Sequence, residues 1–134
     1  MRTAVVLPCA AALALAFGAG IAVGQAQVPT ENKGVSAVAL RSLDLTEELD
    51  TIKGRALRMR KITLQPGGVL GLHTHKDRPA VSYILEGAVT YYQEGKPEVV
   101  ARAGDGIAEG RDTTHWAENR GTVPAVWIAV DIPK

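Results

Sequence analysis

The chain has 134 residues, which allows one domain of ordinary size at most. Its formal charge is +1, and loss of a leader containing Arg2 leaves the remainder neutral. A neutral chain has no general electrostatic attraction to nucleic acid or anionic lipid, so we expect a small-molecule partner and no nucleic acid. The single cysteine, Cys9, lies in the same leader. The mature chain is therefore expected to lack disulfides and thiolate metal ligands.

Residues 1–26 have the pattern of a secretory signal peptide. Arg2 supplies a positive start, residues 4–23 are an almost unbroken Ala/Leu/Val/Gly run, and small residues surround a cleavage point near Ala26. The alternative is an uncleaved anchor, because the run is about long enough to span a membrane. Pro8 and the low hydrophobicity of Ala and Gly favour cleavage. This predicts a periplasmic or secreted protein with no stable membrane insertion after signal removal.

The rest of the chain is predicted to be all-β. Residues 27–50 are interpreted as a flexible lead-in followed by a first strand over 37–45, and residues 51–134 as the β domain. No stretch after Thr51 has convincing helical periodicity, and many short strands separated by Gly/Pro turns predict a barrel or sandwich. The predicted features are a strand over 55–64 with a bulge near Arg60-Lys61, a turn at 65–68, and a hairpin of 81–85 with 88–93. After a turn at 94–97, a strand at 99–102 is predicted to pair back on 88–93, and further strands are predicted at 107–108, 113–119 and 123–131.

The chain contains three histidines, and two of them, His73 and His75, are two residues apart. On a strand, side chains at i and i+2 point to the same face, so these two imidazoles are directed to one point. A second strand that brought His115 to this point would complete a set of three neutral nitrogen ligands. Such a set is suited to a divalent metal ion.

These histidines lie in two spaced motifs that resemble those of the cupin family. The positions that fit the family spacing are Gly67, His73, His75 and Gly87 in the first motif, and Gly104, His115 and Asn119 in the second. The resemblance spans about Ala56 to Asp131. It implies a single-domain jelly-roll β-barrel with a metal site at His73, His75 and His115. It also implies a homodimer formed through the outer sheet surface.

One position departs from the family pattern at the metal site: Ala80 stands where the family usually has a metal-binding Glu. We considered three replacements and expect none of them to bind the ion. Asp77 lies in a polar loop, Asp112 in a turn, and Glu118 on the strand phase opposite His115. A cupin that has lost its metal therefore remains an alternative.

Three neutral ligands would leave the ion its full +2 charge, so it would be a strong Lewis acid with open coordination positions. Ligand type alone allows Fe, Mn, Zn, Ni or Cu. Fe or Mn is favoured by the dioxygen chemistry that the cupin resemblance implies. Among cupins, three-His iron enzymes use dioxygen to cleave carbon–carbon bonds or oxidise thiols. The resemblance thus implies a dioxygenase-like enzyme acting on a small molecule. The alternative is a non-catalytic periplasmic cupin that binds a metal or small ligand.

Four further side chains are candidates for the pocket around the ion. Tyr91 and Tyr92 are consecutive strand residues, so one of them should point into the barrel. Ser82 shares the strand parity of Ala80, and Thr113 shares that of His115. Ordinary core or surface packing is the alternative for both tyrosines.

Overall fold

The computed structural model describes residues 27–134, so the predicted signal peptide lies outside the described residues. Within this range there is no helix long and apolar enough to cross a membrane. The strands are β1 (Lys33–Asp44), β2 (Ala56–Thr74), β3 (Ala80–Glu86), β4 (Ala88–Gln93), β5 (Val99–Arg102), β6 (Gly106–Glu109), β7 (Thr114–Glu118) and β8 (Ala125–Asp131).

The eight strands form one antiparallel sheet, in the order β5-β4-β7-β2-β8-β3-β6 with β1 also on β2, which curls into a nearly closed barrel. The 19-residue strand β2 serves both halves of the barrel. Its segment 58–64 pairs with β8, whereas its segment 69–74 pairs with β7. The predicted turn at 65–68 is thus a bend within one long strand. The prediction of an all-β jelly-roll barrel is confirmed.

The core fills only part of the barrel interior. Alternation along β8 directs Ala125, Trp127 and Ala129 inward, where they join buried residues from the other strands. The largest side chains of this core are Ile62, Leu64, Ile84, Val89 and Trp127. Because many of its other members are alanines, the remaining interior is available for polar residues.

The predicted bulge near Arg60-Lys61 is wrong. Strand β2 pairs with β8 without interruption from Arg58 to Leu64, and the extra residue lies in β1, at Leu40. The apolar phase seemed to switch because two inward positions of β2 carry arginines. Arg58 and Arg60 are half-buried there since both contact the buried carboxylate of Asp131.

The predicted hairpin between residues 81–85 and 88–93 is also wrong. Strand β3 pairs with β6 and β8, whereas β4 pairs with β5 and β7. Gly87 separates the two strands with φ +68°, and a Cβ there would lie 2.5 Å from the Pro124 carbonyl oxygen. Only a glycine permits this close approach at the point where the chain passes from one half of the barrel to the other. The predicted pairing of 99–102 with 88–93 is confirmed, since β4 and β5 form a hairpin with Tyr91 opposite Val99.

Residues 29–32, predicted as a flexible lead-in, are hydrogen-bonded to β2. The Leu72 amide donates to the Pro29 carbonyl oxygen at 2.8 Å, and the Gly71 amide donates to Asn32 Oδ1 at 2.9 Å. This segment therefore forms a wall beside the end of β2 that carries the paired histidines.

Candidate metal centre

The structure brings the three histidines to one point. His73 lies near the end of β2, His75 follows two residues later, and His115 on β7 is the direct cross-strand partner of His73. The Nε2 atom of His75 is 3.2 Å from Nε2 of His73 and 3.3 Å from Nε2 of His115. One candidate ligand atom from each ring lies within 4.8 Å of the other two.

In His73 and His75, the hydrogen bond made by Nδ1 fixes the direction in which Nε2 points. His73 Nδ1 lies 2.8 Å from the Gly71 carbonyl oxygen, and His75 Nδ1 lies 3.2 Å from the Arg78 carbonyl oxygen. A carbonyl oxygen only accepts, so each Nδ1 carries the proton and each Nε2 presents a lone pair. Two lone pairs that face each other at 3.2 Å repel unless a cation lies between them.

The donor spacing fits one ion. Ligand atoms about 2.1 Å from an ion are about 3.0 Å apart at a right angle and about 3.4 Å apart at a tetrahedral angle. The observed Nε2 separations of 3.2 and 3.3 Å fall in this interval. The carbonyls that hold Nδ1 of His73 and His75 are the outer partners that metal-binding imidazoles commonly have.

The imidazoles of His73 and His75 are both neutral near pH 7. Burial lowers the pKa of His73 to about 4. Burial also lowers the pKa of His75, although the charge of Glu109 partly opposes this shift. Neutral imidazole is the form that binds a metal, so protons do not compete strongly at these two positions.

Glu109, at the end of β6, was not among the predicted site residues. This glutamate is only 8% exposed; its Oε1 lies 3.0 Å from His115 Nε2 and its Oε2 lies 3.5 Å from His75 Nε2. Burial alone would raise the pKa of Glu109, but the hydrogen bond with His115 and the electrostatic effect of the nearby imidazoles hold it below its usual value. Strand parity was an available signal, because Glu109 is two residues after Ile107, which packs against the core.

The three carboxylates considered from the sequence lie elsewhere. Asp77 is exposed in a loop with φ +60°, and Asp112 is exposed in the turn before β7. Glu118 accepts hydrogen bonds from the Tyr92 hydroxyl at 2.6 Å and from Arg120.

Two cavities adjoin the histidines. The larger, about 320 Å³, is lined by His73, His75, Glu109 and Ser82 among others. The smaller, about 210 Å³, is lined by His115, Glu109 and Thr113 among others.

The two tyrosines differ in their relation to these cavities. Tyr91 lines both of them, and its ring stacks on His115 at 5.4 Å between centroids. Burial raises the pKa of the Tyr91 phenol, so its hydroxyl stays protonated at neutral pH. Tyr92 lines neither cavity, because its ring stacks on Trp116 at 3.8 Å.

The wall of the larger cavity has a net positive charge even when Glu109 is counted, because the three guanidinium groups in or just behind it exceed the carboxylates of Glu109 and Asp131. Arg60 and Arg78 line it, and both lie near Asp131, at 3.1 and 3.9 Å. Arg58 binds the same carboxylate at 2.8 Å, so three guanidinium groups share one buried anion. The Nε atoms of Arg60 and Arg78 are buried without a hydrogen-bond partner in the described part of the chain. Such a wall favours an anionic occupant.

Comparison with known proteins supports the cupin resemblance. The cupin domain family matches residues 60–131. An oxalate-binding protein of Thermotoga maritima is 30% identical over 83 residues, covering 62% of this chain and 68% of that protein. The crystal structure of a predicted oxalate decarboxylase from Thermotoga maritima is 24% identical, with a TM-score of 0.59, and the match covers 81% of this chain and 95% of that one.

A second solved structure, KdgF from Halomonas sp., has a TM-score of 0.60 at 18% identity, over 75% of this chain and 80% of that one. At these identities the structural matches establish the fold, and the family match establishes the relationship. The chain therefore belongs to the cupin family.

Proposed function

We propose that this chain is an exported cupin that holds a divalent metal ion through His73, His75 and His115 and binds a small carboxylate anion beside it. The observation that carries this proposal is the convergence of three imidazole nitrogens in a cavity whose wall also contains Arg60 and Arg78. The similarity to an oxalate-binding protein supports a small dicarboxylate as the class of ligand. Fe or Mn is favoured, with Zn, Ni or Cu allowed by the ligand type.

The residues of the cavity have distinct roles in this proposal. The ion, when bound, supplies a Lewis-acid centre that attracts carboxylate oxygens. The guanidinium groups of Arg60 and Arg78 orient the anion by charge and hydrogen bonds. Trp127 and Ile62 exclude water from the inner wall. The volume of about 320 Å³ restricts the ligand to a small molecule.

Titration calorimetry tests this function. The purified protein is freed of metal, titrated with Mn²⁺ or Zn²⁺, and then titrated with oxalate. We expect oxalate to bind the metal-loaded protein and not the metal-free one, and Arg78→Gln to weaken oxalate binding about tenfold or more, as for loss of one charged hydrogen bond. Lys61→Gln, which removes an exposed cation from β2, is the control. Equal oxalate binding with and without metal would contradict the proposal.

Dioxygen-dependent oxidation is the second candidate function. It is favoured by the two cavities, because His73 and His75 line one whereas His115 lines the other. A substrate and dioxygen would therefore have separate approaches to the same centre. Oxygen consumption by the Fe- or Mn-loaded protein with small carboxylates or thiols tests it. Ligand binding without oxygen uptake would leave the non-catalytic binding function.

The export proposal is supported by the signal-peptide pattern of residues 1–26. Cell fractionation and the mass of the purified protein test it together. A soluble exported form that begins near Gln27 is expected. A full-length form found only in membranes would favour the anchor alternative.

We also propose a homodimer, formed through the outer face of β2, β3 and β8. Met59, Val81 and Val130 are cross-strand partners on this face, and Tyr83 lies on the same side of β3. Val81 is 56% exposed and Tyr83 is 52% exposed. A contiguous apolar surface of this kind is typical of a protein interface.

A further inference from the structure

Glu109 is a buried carboxylate directed at the histidine cluster. In the described residues its close polar side-chain neighbours are His115 and His75, at 3.0 and 3.5 Å between a carboxylate oxygen and Nε2. The end of β6 is fixed by two hydrogen bonds across the next turn. The Gly110 amide donates to Thr113 Oγ1, and the Thr113 amide donates to the Gly110 carbonyl oxygen. Glu109 therefore occupies a defined position.

This position is directly opposite Ala80. The two residues are Cα partners in the β3–β6 ladder, and both line the larger cavity. Side chains of directly opposite residues project to the same face, with Cβ atoms about 5 Å apart. The Glu109 carboxylate can therefore reach the space beside Ala80, whose own side chain is only a methyl group.

The arrangement around His75 distinguishes a hydrogen-bonding role for Glu109 from a metal-binding role. Because His75 Nδ1 carries the proton toward the Arg78 carbonyl oxygen, its Nε2 lone pair faces both His73 Nε2 and a Glu109 oxygen. A carboxylate oxygen is also an acceptor, so a hydrogen bond between Glu109 and His75 is not available in this tautomer. The carboxylate and imidazole acceptors face a shared space, and a cation in that space would satisfy them.

We infer that Glu109 is the fourth protein ligand of the metal ion, an inference that rests on the proposed metal-binding function. One carboxylate oxygen lies 3.0 Å from His115 Nε2 and the other lies 3.5 Å from His75 Nε2, and both distances are close to the interval expected for donors around one ion. A carboxylate cancels one unit of the ion's charge, so the centre is a weaker Lewis acid than three imidazoles alone provide. The ion also joins β6 to β2 and β7.

Metal affinity and the visible spectrum of the Co²⁺-loaded protein test the assignment without any assay of activity. Glu109→Gln is expected to weaken Mn²⁺ and Zn²⁺ binding by about 10- to 100-fold and to change the Co²⁺ spectrum. Glu109→Asp, which keeps the charge but shortens the side chain, should also weaken binding and serves if the glutamine variant fails to fold. Ala80→Glu in the Glu109→Ala protein is expected to restore affinity from the opposite strand.

Glu118→Gln is the matched control, because Glu118 is the last residue of β7 but its carboxylate contacts Tyr92 and Arg120 instead of the histidines. Wild-type metal affinity and spectrum in a folded Glu109→Gln protein would overturn the inference while leaving the three-histidine site intact. A wild-type protein that binds none of these ions, with His115→Ala indistinguishable from it, would overturn the proposed function as well.

Discussion

At the scale of single residues, the least expected feature is the number of charges that β2 directs inward. The three histidines were recognisable because their type and spacing are rare in this chain. Glu109 and the inward direction of Arg58 and Arg60 were not predicted, because strand patterns are read from apolar residues and a charged side chain is assigned to solvent by default. Each of these charges has a partner on another strand, and cross-strand pairing is not encoded in local sequence.

Asp131 is expected to make a large contribution to stability. Its side chain is fully buried, and the side chains of Arg58, Arg60 and Arg78 near it are 31%, 21% and 30% exposed. Asp131→Asn leaves these guanidinium groups without their anion, so we expect a loss of about 2–3 kcal/mol in the free energy of unfolding. This is somewhat less than the loss for a fully buried ion pair, because water reaches the arginines. Urea unfolding at pH 7 measures this loss.

The contacts of Asp131 with its three arginines also predict that the stability of the protein depends on pH. Burial alone would raise the pKa of Asp131, but its arginine partners hold that pKa below the ordinary value of 3.8. The stabilisation is therefore complete above about pH 4 and is lost as the pH falls through the lower folded value, so wild type and Asp131→Asn should converge in acid. Glu98→Gln, which removes an exposed partner of Arg120, is expected to cost less than about 1 kcal/mol. A gap that persists undiminished at pH 2 would refute this account.

At the scale of elements, the strands were easier to predict than their pairing. Local alternation and Gly/Pro turns placed most of the strands, including β7 and β8, close to their observed ranges. The β3–β4 connection looked like a hairpin because a Glu-Gly turn between two apolar runs is consistent with either outcome. The partner of each strand is decided by burial in the closed barrel, which involves residues distant in sequence.

Asn119 links the end of β7 to the bend of β2. Its side-chain Nδ2 donates to the carbonyl oxygens of Leu64 and Val123 at 2.9 and 2.8 Å, and the residue is 1% exposed. Asn119→Asp places a carboxylate oxygen against these two acceptors, so we expect a loss of about 3 kcal/mol or more at pH 7. Thermal and urea unfolding provide the measurement.

Asn32 offers the matched control for this substitution. Its Oδ1 accepts from the Gly71 amide, and an aspartate keeps that acceptor. Asn32→Asp is therefore expected to change stability by less than about 1 kcal/mol. Equal costs at the two positions would show that the donors of Asn119 do not hold the bend.

At the scale of the whole molecule, the barrel has a polar interior at one end and an apolar surface on one outer face. The fold class was predictable, since it follows from strand count and turn spacing. The outer apolar face was not, because it depends on which strands are neighbours. Val81 and Met59 are 22 positions apart in the chain but flank the same residue of β8, Val130.

The proposed homodimer makes a prediction about this face. Sedimentation of the wild-type protein is expected to give a dimer, and Val81→Glu is expected to give a folded monomer, because a charge buried among apolar residues without a partner opposes association. Val123→Glu is the control, since Val123 is 57% exposed in the loop between β7 and β8, and Val81 is 56% exposed. A wild-type monomer, or a Val81→Glu protein that still sediments as a dimer, would show that copies of the chain do not meet here. Loss of the dimer in both variants would indicate a general effect of added charge, and would count equally against this interface.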